Sequence, residues 1–287
     1  MFEYMNSITL QATFVAKESG NLPPYLGSTI RGIFGHTLHR MVDLQTYKKY
    51  FSDTKTSAGS VKPFVIYVST QDKTSWHKGD QCVFDLTYFG INVEGISLII
   101  HAIQQMNYTG WGVQKISFEL LKITNPVTQK LVWRENQLWL KNARPQPLIC
   151  NQVDTSFVYM DFVTPLRLEK SHELIEEPSF TDIIRALARR MSLISQAYTK
   201  HQMEWNLETM LAEVEKVQMV DHNWQRDKFR RYSMNQKDNE LRMDNIIGSF
   251  SFKGEITPFT PLLEAGKRLH IGRDSTHGFG YYTVDYS

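Results

Sequence analysis

The chain has 287 residues, 41% hydrophobic and 22% charged, an ordinary globular composition that excludes wholesale disorder and leaves room for about two domains. Its 32 basic and 30 acidic residues give a formal charge of +2, which excludes the bulk field of a histone, so a nucleic-acid partner requires locally gathered basic residues. Two cysteines, Cys82 and Cys150, can build neither a disulfide framework nor a multi-cysteine zinc site, and they fit a reducing cytoplasm.

Residues 7–16 alternate apolar and polar side chains and predict a strand. LPPYLG then breaks the chain, and 28–42 carries a helical pattern. VKPFVIYVS (61–69) and QCVFDLTYF (81–89) are β-branched and aromatic, hence strands. A short helix over 95–106, a strand over 113–123 and a hairpin from 131–133 and 137–140 complete the first half. The polar link KNARPQP (141–147) predicts domains at 1–143 and 144–287.

The second half repeats the order. SFVYMDFVTPLRL (156–168) is a strand with Pro165 at an edge or bulge, and 180–198 is the longest helix. A charged segment at 205–217 reads as an inserted helix, 228–234 and 241–253 as a strand pair, and 259–265 as a short helix or turn. A glycine-rich loop over 266–280 leads into a last strand at 281–285. Two rounds of β-α-β-β-α-β predict an α+β class of tandem ferredoxin-like (RRM-like) domains, carried by element order alone. MFEYMN lacks the basic-then-apolar order of a signal peptide, and no apolar run approaches the ~20 residues that cross a bilayer, so a soluble, cytoplasmic protein is expected.

On the first helix Ile30, Phe34, Leu38, Met41 and Val42 form an apolar stripe. His36 and His39 fall opposite it, with Gly32 and Gly35 beside them and Arg40 flanking. Glycine inside a helix costs about 1 kcal/mol relative to alanine, so two beside two histidines suggest close approach of something bulky: a phosphate backbone or a neighbouring strand. The plainer reading is two solvated histidines. A metal pair lacks a third ligand, whereas acid–base chemistry suits imidazole, which titrates near neutral pH. GKRLHIGRDSTHGFGYY sets Gly266, Gly272, Gly278 and Gly280 among Lys267, Arg268, Arg273 and two histidines; it is either a tight turn or a loop whose amides and cations approach phosphates. WQRDKFRRY interleaves Arg226, Lys228, Arg230 and Arg231 with Trp224, Phe229 and Tyr232, a mixture that can neutralise phosphates while stacking bases, or simply a solvated strand edge.

Taken together in order, LPPYLGSTIRGIFGHTLHRM, TPLRL, SFTDIIRALARRMSLISQAY and IIGSFSFKGEITPFTPLLEAGKRLHIGRDSTHGFGYYTV resemble the CRISPR repeat-processing endoribonuclease family of the RAMP superfamily, over most of the chain. The resemblance implies tandem ferredoxin-like domains and cutting of the repeat in precursor CRISPR RNA. It implies no metal and no cofactor: the 2′-hydroxyl attacks the adjacent phosphate, leaving a 2′,3′-cyclic phosphate and a 5′-hydroxyl. Carried onto RGIFGHTLHR, it makes His36 the first choice as base, with His39 the second choice or the acid for the leaving oxygen. Tyr25, Arg31, Arg40, Lys48 and Lys49 are the nearby groups for phosphorane charge, and Gly272, Gly278 and Gly280, with Lys267, Arg268 and Arg273, the RNA-binding loop. The implied partners are repeat RNA and CRISPR effector or adaptation proteins, around a monomer or homodimer with no membrane contact. The alternatives are a non-catalytic RNA-binding scaffold subunit of an effector complex and, outside the class, a metal-dependent hydrolase.

Overall fold

Alternation along β1 (Asn6–Ala16) sends Ile8, Leu10, Ala12, Phe14 and Ala16 into a core and leaves Ser7, Thr9, Gln11 and Thr13 on the other face. A computed structural model of the chain describes residues 2–70, 72–199, 201–203, 205–232 and 240–286, without the side chains of 207, 228–232 and 240–243. Around β1 the first sheet pairs antiparallel in the order β6-β5-β4-β1-β3-β2, where β2 is Phe64–Val68, β3 Gln81–Phe89, β4 Phe118–Asn125, β5 Lys130–Arg134 and β6 Gln137–Leu138. Helices α1 (Gly27–Met41) and α3 (Val93–Gln105) supply Ile30, Phe34, Leu38, Ile96, Ile99 and Ile103 to that core. The four strands β1 to β4 therefore run 4-1-3-2 across the sheet, the ferredoxin-like order.

The second half repeats it. Strands β7 (Phe157–Leu166), β8 (Gln218–Tyr232), β9 (Glu240–Lys253) and β10 (Thr283–Tyr286) pair in the order β8-β9-β7-β10. Helix α4 (Phe180–Tyr198) starts at a capping box, Ser179 with Asp182, and buries Ile183, Ile184, Leu187, Met191 and Ile194. Helices α5 (Leu207–Val214) and α6 (Thr260–Leu269) follow. Ala143 belongs to the first core and Leu148 to the second. The second core also takes Phe2, Met5, Val61, Val65 and Phe89 from the first half, so the two halves share a packed seam.

Four details depart from the sequence expectations. A helix, α2 (Leu44–Phe51), follows α1 where none was expected; the Asp43 carboxylate starts it by accepting the amides of Gln45 and Thr46. Strand β4 begins at Phe118 rather than 113, because Gly112 and Lys115, both at positive φ, turn 111–116 into a tight loop closed by a Trp111–Ile116 bridge. Strand β8 begins at Gln218, ten residues before the expected start at 228, pairing along β9 throughout. Helix α6 extends to Leu269, shortening the glycine-rich loop.

Candidate active site

The exposed side of α1 forms a ridge. His36, His39 and Arg40 are exposed, and a Cβ added at Gly32 would meet nothing within 4 Å. Gly32 therefore lies under open space, whereas Gly35 does not share that face: a Cβ there would stand 2.4 Å from Cζ of Phe51, whose ring occupies the notch. The expectation that both glycines flank the histidines on one wet side is corrected accordingly.

The other end of the ridge is fastened to the C-terminal half. Ser28 Oγ lies 3.1 Å from His277 Nδ1, and a Cβ on Gly27 would fall 1.9 Å from the His277 carbonyl. Tyr25 lies beneath this junction: its ring meets Phe279 edge-on at 5.6 Å, and a Cβ on Gly278 would come within 2.3 Å of its hydroxyl. Burial drives its phenol far above the ordinary tyrosine range. The structure thus sets Tyr25 under the glycine-rich turn, while His36 lies about 14 Å along the helix from its first residue, Gly27, at 1.5 Å per residue.

Helix α2 lays a second aromatic row beside the ridge. Tyr47 stacks on Phe51 at 5.1 Å and meets the His39 imidazole edge-on at 4.9 Å and 87°. The Arg31 guanidinium lies over the Phe51 ring at 5.1 Å, and the Lys49 ammonium over Tyr50 at 5.0 Å. Lys48 is exposed. Sequence reasoning passed over Tyr47 because it passed over α2; the Asp43 cap was the available signal.

The glycine-rich loop is a folded knot. Gly272, Gly278 and Gly280 all adopt positive φ, and a Cβ on Gly280 would stand 1.8 Å from the Ile271 carbonyl. The Gly280 amide donates to Pro165 O, the Gly278 amide to Ser275 O, and the Ile271 and Arg273 amides to Gly280 O and Arg167 O. Those donors serve the loop's own shape, a correction to the picture of a phosphate cradle. Its base is fixed by Arg190, whose Nε donates to Leu269 O, and by His270, whose Nδ1 lies 3.0 Å from Phe279 O. Burial, then the nearby Arg190 charge, brings His270 down to about 3, so it is neutral at pH 7.

The basic residues are mostly partnered. Arg273 pairs with Glu169, Lys267 with Glu264, and Arg226 with both Glu176 and Asp244. Arg268 is half-buried near the end of α6. Lys228, Arg230 and Arg231 lie on β8, but their side chains fall outside the described residues. Among the described residues no group of three or more His, Cys, Asp or Glu side chains is placed to hold a metal, and no helix is long and apolar enough to cross a membrane.

Comparison with known proteins gives this geometry a context. Residues 160–282 match the family model for CRISPR-associated endoribonuclease Cas6, and residues 5–147 match a model described as an N-terminal domain. No curated protein matches the chain. Among solved structures, the product complex of Cas6 (TTHB231) is 15% identical with a TM-score of 0.58, covering 98% of this chain and 99% of that one. Thermus thermophilus Cas6 (TTHB231) is 13% identical with a TM-score of 0.60 over 98% of this chain and 99% of that one. A partial Cas6-RT-Cas1–Cas2 complex is 9% identical with a TM-score of 0.66, covering 99% of this chain but 46% of the other. At such identities the likeness establishes the shared tandem ferredoxin-like fold. The tandem ferredoxin-like fold is thus shared with solved Cas6 structures over nearly the whole chain, and residues 160–282 in its second half are similar to the CRISPR-associated endoribonuclease Cas6 family.

Proposed function

We propose that the chain is a metal-independent endoribonuclease that cuts the repeat of precursor CRISPR RNA. The observation that carries the reading is the ridge of α1, where His36 and His39 are exposed beside the open surface at Gly32. His36 withdraws the 2′-hydroxyl proton as O2′ attacks phosphorus, and His39 gives a proton to the 5′-oxygen as the P–O5′ bond breaks. The products are a 2′,3′-cyclic phosphate and a 5′-hydroxyl. Arg31, Arg40, Lys48 and Lys49 stabilise the charge that gathers on the phosphorane. Tyr25 serves as the support under the junction of the halves.

In this reading RNA runs along the ridge from the His277 junction to the histidine pair, across the two units at 1–143 and 144–287. The glycines of the loop shape that junction, and Arg268, Arg273 and Lys267 line the RNA side. Repeat RNA is the substrate, CRISPR adaptation proteins are further partners, and the cytoplasm is the site of action. A Cas6-RT-Cas1–Cas2 assembly among the structures sharing this fold supports the adaptation link.

The test uses a synthetic repeat matching the RNA that co-purifies with the chain. In excess EDTA the protein cuts it at one position, leaving a cyclic phosphate. His36→Ala slows single-turnover cleavage about 10²-fold or more with RNA affinity within about twofold. Tight binding with the RNA intact identifies a scaffold instead, activity abolished by chelation identifies a metal-dependent hydrolase, and loss confined to His39→Ala reverses the assignment of the base.

A further inference from the structure

We infer that Tyr47 is a positioning residue for cleavage, holding the His39 imidazole in the orientation from which it protonates the leaving 5′-oxygen. The inference rests on the reading of His36 and His39 as the acid–base pair, and extends it by assigning which of them is held and by what.

The two histidines lie three residues apart on one helix, with Cβ atoms about 5–6 Å apart by helix geometry. Their spacing on the helix alone does not tell them apart. The surroundings do. His36 stands beside the open surface at Gly32, whereas His39 meets the edge-on ring of Tyr47 at 4.9 Å. An exposed imidazole otherwise explores its rotamers within nanoseconds, and a donor misplaced by 1 Å can lose about 10²-fold in rate. A ring packed against it removes that freedom.

The support behind Tyr47 is continuous. Asp43 starts α2 by accepting Gln45 and Thr46 amides at 2.8 and 3.0 Å, which fixes Tyr47 one turn into the helix. Tyr47 stacks on Phe51, and Phe51 fills the notch that Gly35 leaves in α1. The same Phe51 ring carries the Arg31 guanidinium at 5.1 Å. One aromatic ring thus holds a cation for the phosphate and, through Tyr47, an imidazole for the leaving group. This gives the buried Gly35 a use: any larger residue would displace Phe51 and with it the whole row. In the reaction O2′–P forms while P–O5′ breaks, one proton passes from the 2′-hydroxyl to His36 and one from His39 to O5′, and both rings re-equilibrate with water afterwards.

The experiment measures single-turnover cleavage and RNA affinity for Tyr47→Ala, Tyr47→Phe, His36→Ala, His39→Ala and the Tyr47→Ala/His39→Ala pair. Two synthetic copies of the co-purifying repeat are used, one normal and one with sulfur replacing the bridging 5′-oxygen at the cut. A thiolate leaves without protonation, so this substrate bypasses the acid. On normal RNA, Tyr47→Ala is expected to slow cleavage about tenfold or more with affinity within about twofold, and Tyr47→Phe, which keeps the ring, to cut within about twofold of wild type. Tyr47→Ala adds nothing to His39→Ala. On the sulfur substrate Tyr47→Ala and His39→Ala both recover, and His36→Ala does not. Recovery of His39→Ala without Tyr47→Ala, or additive losses in the pair, overturns the role of Tyr47 alone. Wild-type rates in both single histidine variants overturn the acid–base reading and this inference together. Unchanged affinity and melting temperature in Tyr47→Ala mark the variant as folded, and the Phe variant carries the comparison if they change.

Discussion

The two helix-interior glycines of α1 have different explanations. Gly35 is required by packing, because Phe51 occupies the space of its Cβ. Gly32 has no such neighbour, so an alanine there meets no steric objection and stabilises the helix by up to about 1 kcal/mol. Under the proposed function the empty space above Gly32 is where RNA comes close. Gly32→Ala is therefore expected to raise the melting temperature while weakening binding of the co-purifying repeat several-fold. Thermal melting and a binding titration on the same sample check it; a stabilised variant with unchanged affinity takes RNA away from this face. Here the sequence was half informative. The spacing of Gly32, His36 and His39 on one side of a helix could be read directly from the 3.6-residue period, and the structure places them there. The separation of Gly35 from Gly32 depends on a ring sixteen residues downstream, which no local pattern contains.

Elements were legible where one periodicity ran uninterrupted and illegible where it did not. Helix α4 spans the expected 180–198, because a single apolar stripe and a capping box bound it. Helix α2 is only eight residues long, with a brief apolar face, and its start is written in one cap rather than in a period. Strand β8 was missed over its first ten residues because its solvent-facing polar residues mask alternation; its long pairing with β9 is a tertiary fact. The structure also changes what that hairpin is expected to contribute. Arg226 reads in sequence as a phosphate contact, but its guanidinium already meets Glu176 at 3.1 Å and Asp244 at 3.2 Å. A cation held by two carboxylates neutralises a phosphate only by leaving them. Arg226→Ala is accordingly expected to leave the slope of log affinity against log salt unchanged. A fall of about 0.7, the value for one phosphate contact on single-stranded nucleic acid, refutes this and returns Arg226 to the interface.

For the whole molecule, the seam between the halves holds titratable groups whose effects on stability oppose each other. Tyr67 of the first sheet and Tyr281 of the C-terminal half meet at 4.1 Å between ring centres, tilted by 31°. The His270 ring lies 5.5 Å from that of Tyr281, and the charge of Asp85 acts on both tyrosines. Gln11 Nε2 donates to Asp85 Oδ1 at 3.0 Å, which favours the carboxylate, but burial outweighs it and raises Asp85 to about 6. Asp85 in the folded protein therefore binds a proton that the unfolded chain, near 4, has lost. Its stabilising contribution is present below about pH 4 and disappears as pH rises through 6. His270, held at about 3, has the opposite sign: the unfolded chain takes up a proton near 6.5 that the folded protein refuses, so its contribution is present above that pH and is lost on acidification. Between pH 4 and 6 each slope approaches about 1.4 kcal/mol per pH unit, and the two nearly cancel. Asp85→Asn keeps an oxygen for Gln11 and removes one slope. The variant should melt above wild type at pH 7, and its melting temperature should fall more steeply than wild type from pH 6 to 4. Parallel curves for the two proteins over that range would show that Asp85 titrates as an ordinary surface carboxylate, and that the seam does not bury it in solution.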